Sequence, residues 1–333
     1  CYGQQAFAML SSLAELGRFD VEDFTRRVAE DVGRDSEYEV KGCINESNWP
    51  QRSSDVTMPL PGPWRHGSIN KFLTNYVVEG KRYPKCGSDD AQIDFACRIV
   101  PVVALYAGRP ELSHAVEVAI RAIQNTGSAV KFGLAFAKCL ELLILGHAET
   151  PSAAVLSVVS SLKAADPEDA EAAGLERVLQ DLAAMSLPEA ALALKPKDHS
   201  LLMPLHAACY QASYEEAVEN SIRAGGCTAS RATLAGALFA AAGGRDVIPR
   251  KWITLAPCGA EVEKLAALLV AHRDGLASRR ANEALNVPAK LGKDFEIDPQ
   301  RLMHPQPPNL FNFASYPHHL NQPAVDPQTV AGF

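Results

Sequence analysis

Gly225-Gly226-Cys227-Thr228-Ala229-Ser230-Arg231-Ala232-Thr233-Leu234-Ala235-Gly236-Ala237-Leu238, running on to Gly243-Gly244, is the stretch around which the chain is organised. The paired glycines allow a sharp turn and a close approach by another group. A helix of almost only small residues follows. Such a helix fills little space, so larger neighbours must surround it, and Gly236 marks a point where one can come close. Its first turn, from Cys227 to Ser230, offers free backbone N–H groups to anionic oxygens. Two readings follow: a buried central helix with a glycine entry turn, or a binding cleft floored by this helix start.

Outward from this stretch the sequence reads as helix after helix. Phe7, Leu10, Leu13 and Ala14 recur at helical spacing over residues 4–16, ended by Gly17. Asp20, with Asp23 three residues on, opens a second helix along Phe24, Val28 and Val32. Residues 34–66 lose periodicity and read as a long excursion. Order returns at Trp64-Arg65-His66-Gly67-Ser68, leading to a helix through Ile69, Phe72, Leu73 and Tyr76. Asp89 and Gln92 are placed as a capping pair for a helix from Ile93 to Tyr106, kinked at Pro101. Pro110 and Glu111 open the next helix, which Gln124-Asn125-Thr126-Gly127 closes before an apolar one from Val130 to Leu145.

Thr150-Pro151 and Asp166-Pro167 each read as a cap followed by proline at the first helical position. Ser213 and Glu216 form a capping box before Gly225. Ile248-Pro249-Arg250-Lys251-Trp252 is a turn able to fold back over the end of the small-residue helix. Val262, Leu265, Leu268 and Leu269 mark a long last helix. No alternating strand pattern and no repeat of 20 to 50 residues appears. The expected fold class is all-α.

The chain has 333 residues and a formal net charge of −7, without a basic cluster, which argues against a nucleic-acid partner. No apolar run is long enough for a membrane span. Eight cysteines, at 1, 43, 86, 97, 139, 209, 227 and 258, lack Cys-x-x-Cys or zinc-type spacing and read as reduced, mostly buried thiols. The chain opens on Cys1 with a helix already under way, so a missing native start is expected; cytoplasmic placement is the expectation. Residues 1–286 are read as the helical domain and 287–333 as a proline-rich tail. The tail's Phe311, Phe313 and Tyr316 suggest that part of it packs on the body, and its His304 and His318-His319 read as incidental.

Ser88-Asp89-Asp90 carries two readings, helix capping or a carboxylate pair at a cleft that polarises water or holds a hard cation. The corresponding site residues are Asp89 and Asp90 as catalytic groups, with Ser88, Gly225, Gly226, Thr228, Ser230 and Arg231 binding a ligand. Cys227, at a helix start, is a candidate reactive thiol, since the amide dipoles there favour thiolate. No metal ligands are assigned.

Several stretches together resemble the ADP-ribosylglycohydrolase family, most of all its branch with the jellyfish lens J-type crystallins and a related fish selenoprotein. They are Tyr2-Gly3-Gln4-Gln5, Pro63-Trp64-Arg65-His66-Gly67-Ser68, Gly87-Ser88-Asp89-Asp90-Ala91-Gln92 with Val100-Pro101-Val102-Val103-Ala104-Leu105-Tyr106, and Tyr214-Glu215-Glu216-Ala217 through Gly225-Gly226. Ala235-Gly236-Ala237-Leu238 and Ile248-Pro249-Arg250-Lys251-Trp252 complete the pattern, which covers residues 1 to about 285.

The resemblance implies one orthogonal bundle of many helices with a single cleft. Active members hold two magnesium ions between an early Thr-Asp-Asp and a late Asp-x-Asp-Thr, with a glutamate near the start. They hydrolyse the bond between ribose and a modified protein side chain, or a related ADP-ribosyl product. Here the early acidic pair falls at Gly3-Gln4, and the late pair at Cys227 and Ala229, with Ser230 in place of threonine. Magnesium requires hard oxygen ligands, and thiolate is soft. Three functions follow as expectations. The first is a non-catalytic or strongly divergent member that is crystallin-like or binds an ADP-ribose-type molecule or an ADP-ribosylated protein. The second is an active hydrolase using Asp89 and Asp90, and the third a thiol or redox role for Cys227.

Overall fold

The computed structural model describes residues 2–33, 36–39, 63, 65–168, 170–186, 189–190, 196–223 and 228–278. Among them are thirteen α-helices and no strand; the one β-type pairing is an isolated bridge between Ser88 and Gln124. In chain order the helices are α1 (Tyr2–Leu16), α2 (Val21–Val32), α3 (Gly67–Leu73), α4 (Phe95–Tyr106), α5 (Leu112–Arg121), α6 (Gly127–Ile144) and α7 (Pro151–Ala165). The series continues with α8 (Ala170–Gln180), α9 (Pro196–Tyr210), α10 (Tyr214–Arg223), α11 (Thr228–Gly243), α12 (Arg250–Leu255) and α13 (Gly259–Ser278). The all-α expectation holds.

Four helix starts follow from side chains visible in the sequence. Asp20 accepts from the backbone N–H groups of Glu22 and Asp23, Thr126 from Ala129, and Thr150 from Ala153 ahead of Pro151. Ser213 accepts from the Glu216 N–H while the Glu216 carboxylate reaches back to Ala212 N, a variant of the capping box. Two starts differ from the sequence reading. Asp90, not Asp89, takes the Gln92 N–H, at 2.7 Å, in a local turn that delays α4 until Phe95. Asp166 closes α7, and its carboxylate accepts from Glu168 N; the next helix begins at Ala170, not at Pro167.

The core is apolar and shared. α1 packs on α2, α4 and α13, α4 on α5, α6 and α11, and α11 on α6, α9 and α10. Met9, Leu13, Phe24, Phe72, Phe95, Ile99 and Phe136 are among its fully buried side chains. The small-residue helix is central, as expected. At Gly236 the ring of Tyr214 fills the space a side chain would take, its Oη only 3.1 Å from an ideal Cβ. Trp252 of α12 lies 5.9 Å from the Tyr214 ring, so the segment after α11 does fold back over it. α4 runs through Pro101 without a break. No described helix is long and apolar enough to cross a membrane.

Candidate functional site

The start of α1, the residues before α3, the segment 86–94, the start of α4 and the turn after α5 meet in one polar cluster inside the apolar core. Its members Gln5, His66, Ser68, Asp94, Arg98 and Gln124 are all buried. Arg98 sits one turn after Asp94, a spacing that puts both on one face. Its guanidinium, which can only donate, gives Nη1 to Gln5 Oε1 at 2.8 Å and Nη2 to Gln124 Oε1 at 2.7 Å. Nε donates to Ala119 O and Nη2 also to Ile120 O. These carbonyls belong to the last turn of α5, where the helix dipole favours a cation.

That arrangement sets the direction of the remaining bonds. Gln5 spends its oxygen on Arg98, so its amide N–H faces His66 Nε2 at 2.9 Å, and the ring accepts. The His66 proton therefore sits on Nδ1, 2.9 Å from Asp94 Oδ2 and 2.7 Å from Ser68 Oγ. Ser68 donates in turn to Asp94 Oδ2 at 3.2 Å. The ring of Tyr2 stacks on His66 with centroids 4.7 Å apart. One line of hydrogen bonds thus runs from a buried guanidinium through an amide and an imidazole to a buried carboxylate.

Burial opposes both charges, and the surroundings decide the outcome for each. Burial pulls Arg98 down to about 10, still charged at neutral pH, with Asp94 acting the other way. Burial raises Asp94, yet the hydrogen bond from His66, the charge of Arg98 and the Ser68 hydroxyl hold it below the ordinary carboxylate range. The cluster is a neutral clamp. It is not a nucleophilic triad: Ser68 is inaccessible, and Ser68 and Asp94 both bind the same ring nitrogen, so no relay connects them.

Of the residues singled out in the sequence, Ser88 and Asp90 border this clamp through Gln124. Ser88 is buried; its hydroxyl donates to Ile123 O at 2.9 Å, and its backbone pairs with Ile123 and Asn125. Asp89 is exposed and Asp90 half-buried. Both Asp90 carboxylate oxygens accept from Gln92, and its carbonyl accepts from Gln124 Nε2 and Thr126 Oγ1. Asp90 Oδ2 also lies 3.9 Å from the ideal Cβ position of Gly67, at the start of α3. Thr228 is half-buried, and Ser230 and Arg231 are buried in the first turns of α11. Thr233 of that helix meets Cys97 of α4, Sγ to Oγ1 at 3.6 Å. Gly225, Gly226 and Cys227 lie outside the described residues.

Among the described residues, no group of three or more His, Cys, Asp or Glu side chains converges as metal ligands do. Burial pushes the thiols of Cys86 and Cys139 up to about 12 and that of Cys97 up to about 11, which makes them unreactive.

The family model for ADP-ribosylglycohydrolase matches residues 2–279, which include every element that builds the clamp. The chain belongs to the ADP-ribosylglycohydrolase family. Crystallin J1A of Tripedalia cystophora is 30% identical over 273 residues, covering 80% of this chain and 78% of the crystallin. Crystallin J1B of the same organism is 27% identical over 275 residues, covering 81% and 78%. A solved structure described as an ADP-ribosylglycohydrolase-related protein complex aligns with a TM-score of 0.56 at 20% identity, over 81% of this chain and 80% of that one. The thirteen helices therefore form a bundle of the ADP-ribosylglycohydrolase type.

Sequence reasoning singled out Ser88, Asp89 and Asp90 and missed the residues that form the buried network: Gln5, His66, Asp94, Arg98 and Gln124. One signal was available. Arg98 is the single charged residue within Phe95–Tyr106, a helix otherwise almost wholly apolar, and a lone arginine there must be buried with partners.

Proposed function

We propose that this chain is a non-catalytic ADP-ribosylglycohydrolase, a crystallin-like scaffold whose site has exchanged metal-holding carboxylates for a buried amide and ion-pair network. Pairing with an ADP-ribose-type molecule remains within its chemistry; hydrolysis through two magnesium ions does not. The observation that carries this reading is Gln5 bonded to Arg98. The early acidic positions are Gly3, exposed and without a side chain, and Gln4, a buried amide. The next side chain has its oxygen committed to a buried cation.

Among the described residues the donor set does not fit two magnesium ions, which require several hard, anionic oxygens in octahedral array. Ala229, at the second late position, supplies none and is exposed. Asp94 is a carboxylate, but its charge is matched by Arg98 and one oxygen is held by His66 and Ser68. Asp89 and Asp90 are turned to solvent and to Gln92, which does not support a hydrolase built on them. The likeness to two crystallins supports the scaffold reading.

The test combines turnover and binding on the full chain. ADP-ribosylated peptide is incubated with millimolar magnesium chloride, and released ADP-ribose is measured. Melting temperature is followed in parallel with magnesium alone, ADP-ribose alone and both. No release, and no shift with magnesium alone, is the expected result. Magnesium-dependent release abolished by Asp89→Asn with Asp90→Asn overturns it. Rapid alkylation of Cys227 near neutral pH, ahead of the other thiols, favours the thiol reading instead.

A further inference from the structure

A cavity of about 190 Å3 lies between the turn that joins α4 to α5 and one face of α6. Leu134, Ala137, Lys138 and Glu141 line it from α6, at the i, i+3, i+4, i+7 spacing of a single helix stripe. Arg109, Pro110, Leu112 and Ser113 line it from the turn and the start of α5. Leu112 and Ala137 are buried and Leu134 is half-buried, so the walls are largely apolar. Ser113 and Lys138 are exposed, so the cavity reaches solvent.

Glu141 organises the polar part of this cavity. It is buried, and both its oxygens are committed: Oε1 accepts from Gly108 N at 2.9 Å and Oε2 from Lys138 Nζ at 2.7 Å. Arg109 N donates to Tyr106 O at 3.0 Å, and Leu112 N to Arg109 O at 3.2 Å. The backbone on both sides of Arg109 is therefore held in place. Its guanidinium, a fork of five N–H donors, has no hydrogen-bond or ion-pair partner among the described residues, and neither does the Ser113 hydroxyl. Glu111 and His114 flank these two in sequence but do not line the cavity. One cation is left over beside apolar walls.

We propose that this cavity binds a small monocarboxylate with a compact apolar body, a single ring or a branched chain. Size selects the body. A cavity of about 150 Å3 suffices for benzene, whereas pockets for drug-sized ligands begin near roughly 300 Å3, so an ADP-ribose-type molecule does not fit. Charge selects the head. A guanidinium takes a carboxylate through two parallel N–H···O bonds, and Ser113 adds a hydroxyl donor. Lys138 is already committed to Glu141, so the single unmatched charge at Arg109 calls for a monoanion. A phosphate monoester, near −2 at neutral pH, would draw Lys138 away and strand a buried carboxylate, which is costly.

The test titrates benzoate into the full chain with leucine methyl groups labelled for NMR. Saturable shifts at Leu112 and Leu134 are expected, with a Kd on the order of 1 mM, as suits so few non-hydrogen atoms. Benzyl alcohol, which keeps the ring without the charge, and acetate, which keeps the head without the body, should each bind about tenfold more weakly. Arg109 is half-buried and unpaired, so Arg109→Gln should fold normally and weaken benzoate by about tenfold or more. Ala137→Leu should fill the cavity and abolish binding; if that variant fails to fold, Arg109→Gln decides. No saturation, shifts confined to other leucines, equal binding of benzyl alcohol, or benzoate binding unchanged by Arg109→Gln overturns the proposal. Tighter binding of phenyl phosphate than of benzoate overturns the choice of a monoanion. None of these outcomes depends on whether the site near Arg98 binds or hydrolyses anything.

Discussion

Arg98 of α4 and Gln5 of α1 hydrogen-bond at 2.8 Å, and neither side chain has any exposed surface. Arg98 is thus the point where α4, the end of α5 and the start of α1 are tied together, through four donors with four different acceptors. Lysine carries the same charge with a single ammonium and cannot reproduce the planar fork. Arg98→Lys is expected to cost about 3 kcal/mol, the range for breaking a buried charge network. Gln5→Ala removes one acceptor and should cost about 1–3 kcal/mol, as for a buried group left unsatisfied. Urea denaturation of the two variants checks both values and their order.

The counterpart of Arg98 is Asp94, and its contribution carries a definite pH signature. Its pKa in the folded chain lies below the ordinary carboxylate value, whereas in the unfolded chain it returns to about 3.9. The stabilisation is therefore present above roughly pH 4 and is lost as pH falls through the folded pKa. Asp94→Asn at pH 7 leaves the Arg98 charge uncompensated and is expected to cost about 3–5 kcal/mol. The separation between variant and parent midpoints should hold from pH 7 to about 4 and narrow as pH falls further. A separation that shrinks above pH 4, or that does not narrow below it, contradicts the assignment.

Asp31, near the end of α2, behaves in the opposite sense. Burial, and next the neighbouring charge of Glu30, raise it to about 6, with Arg26 and Arg27 opposing. The unfolded chain releases this proton near pH 4 and the folded chain only near pH 6, so stability falls as pH rises between those values. Above pH 6 the full penalty persists. Asp31→Asn should raise stability at pH 7 by about 1–3 kcal/mol, given about 1.4 kcal/mol per unit, and change nothing below pH 4. Thermal melts at pH 4, 5, 6 and 7 read the trend directly.

Helix class and most boundaries were legible because they depend on residues three or four apart. Asp20, Thr150 and Ser213 announce their helices, and each caps as its spacing implies. The clamp was not legible because its bonds join residues that are distant in sequence. Gln5 meets His66 across 61 positions and Arg98 across 93. Local capping logic also favoured Asp89 over Asp94, although the latter has no side-chain capping bond and serves the interior instead. Fold was read from local period, and site chemistry depended on packing that only three dimensions reveal.

Gly87 links these two levels, since it precedes Ser88, which bridges to Gln124. A Cβ at position 87 would lie 2.3 Å from the backbone oxygen of Arg121 and 3.1 Å from Asn125 N. Backbone atoms cannot swing aside as the end of a long side chain can. Gly87→Ala must therefore push the 86–92 segment away from the turn after α5, stretching the bonds of Gln124 to Asp90 and Gln92. The expected cost is about 1–3 kcal/mol, the range for overpacking a filled interior. Gly127→Ala, where an added Cβ meets nothing within 4 Å, is the control and should stay within about 1 kcal/mol. Equal melting temperatures for the two variants would show that the segment is not held against Arg121. A drop confined to Gly87→Ala, with faster hydrogen exchange at Ser88 and Asn125, shows that it is.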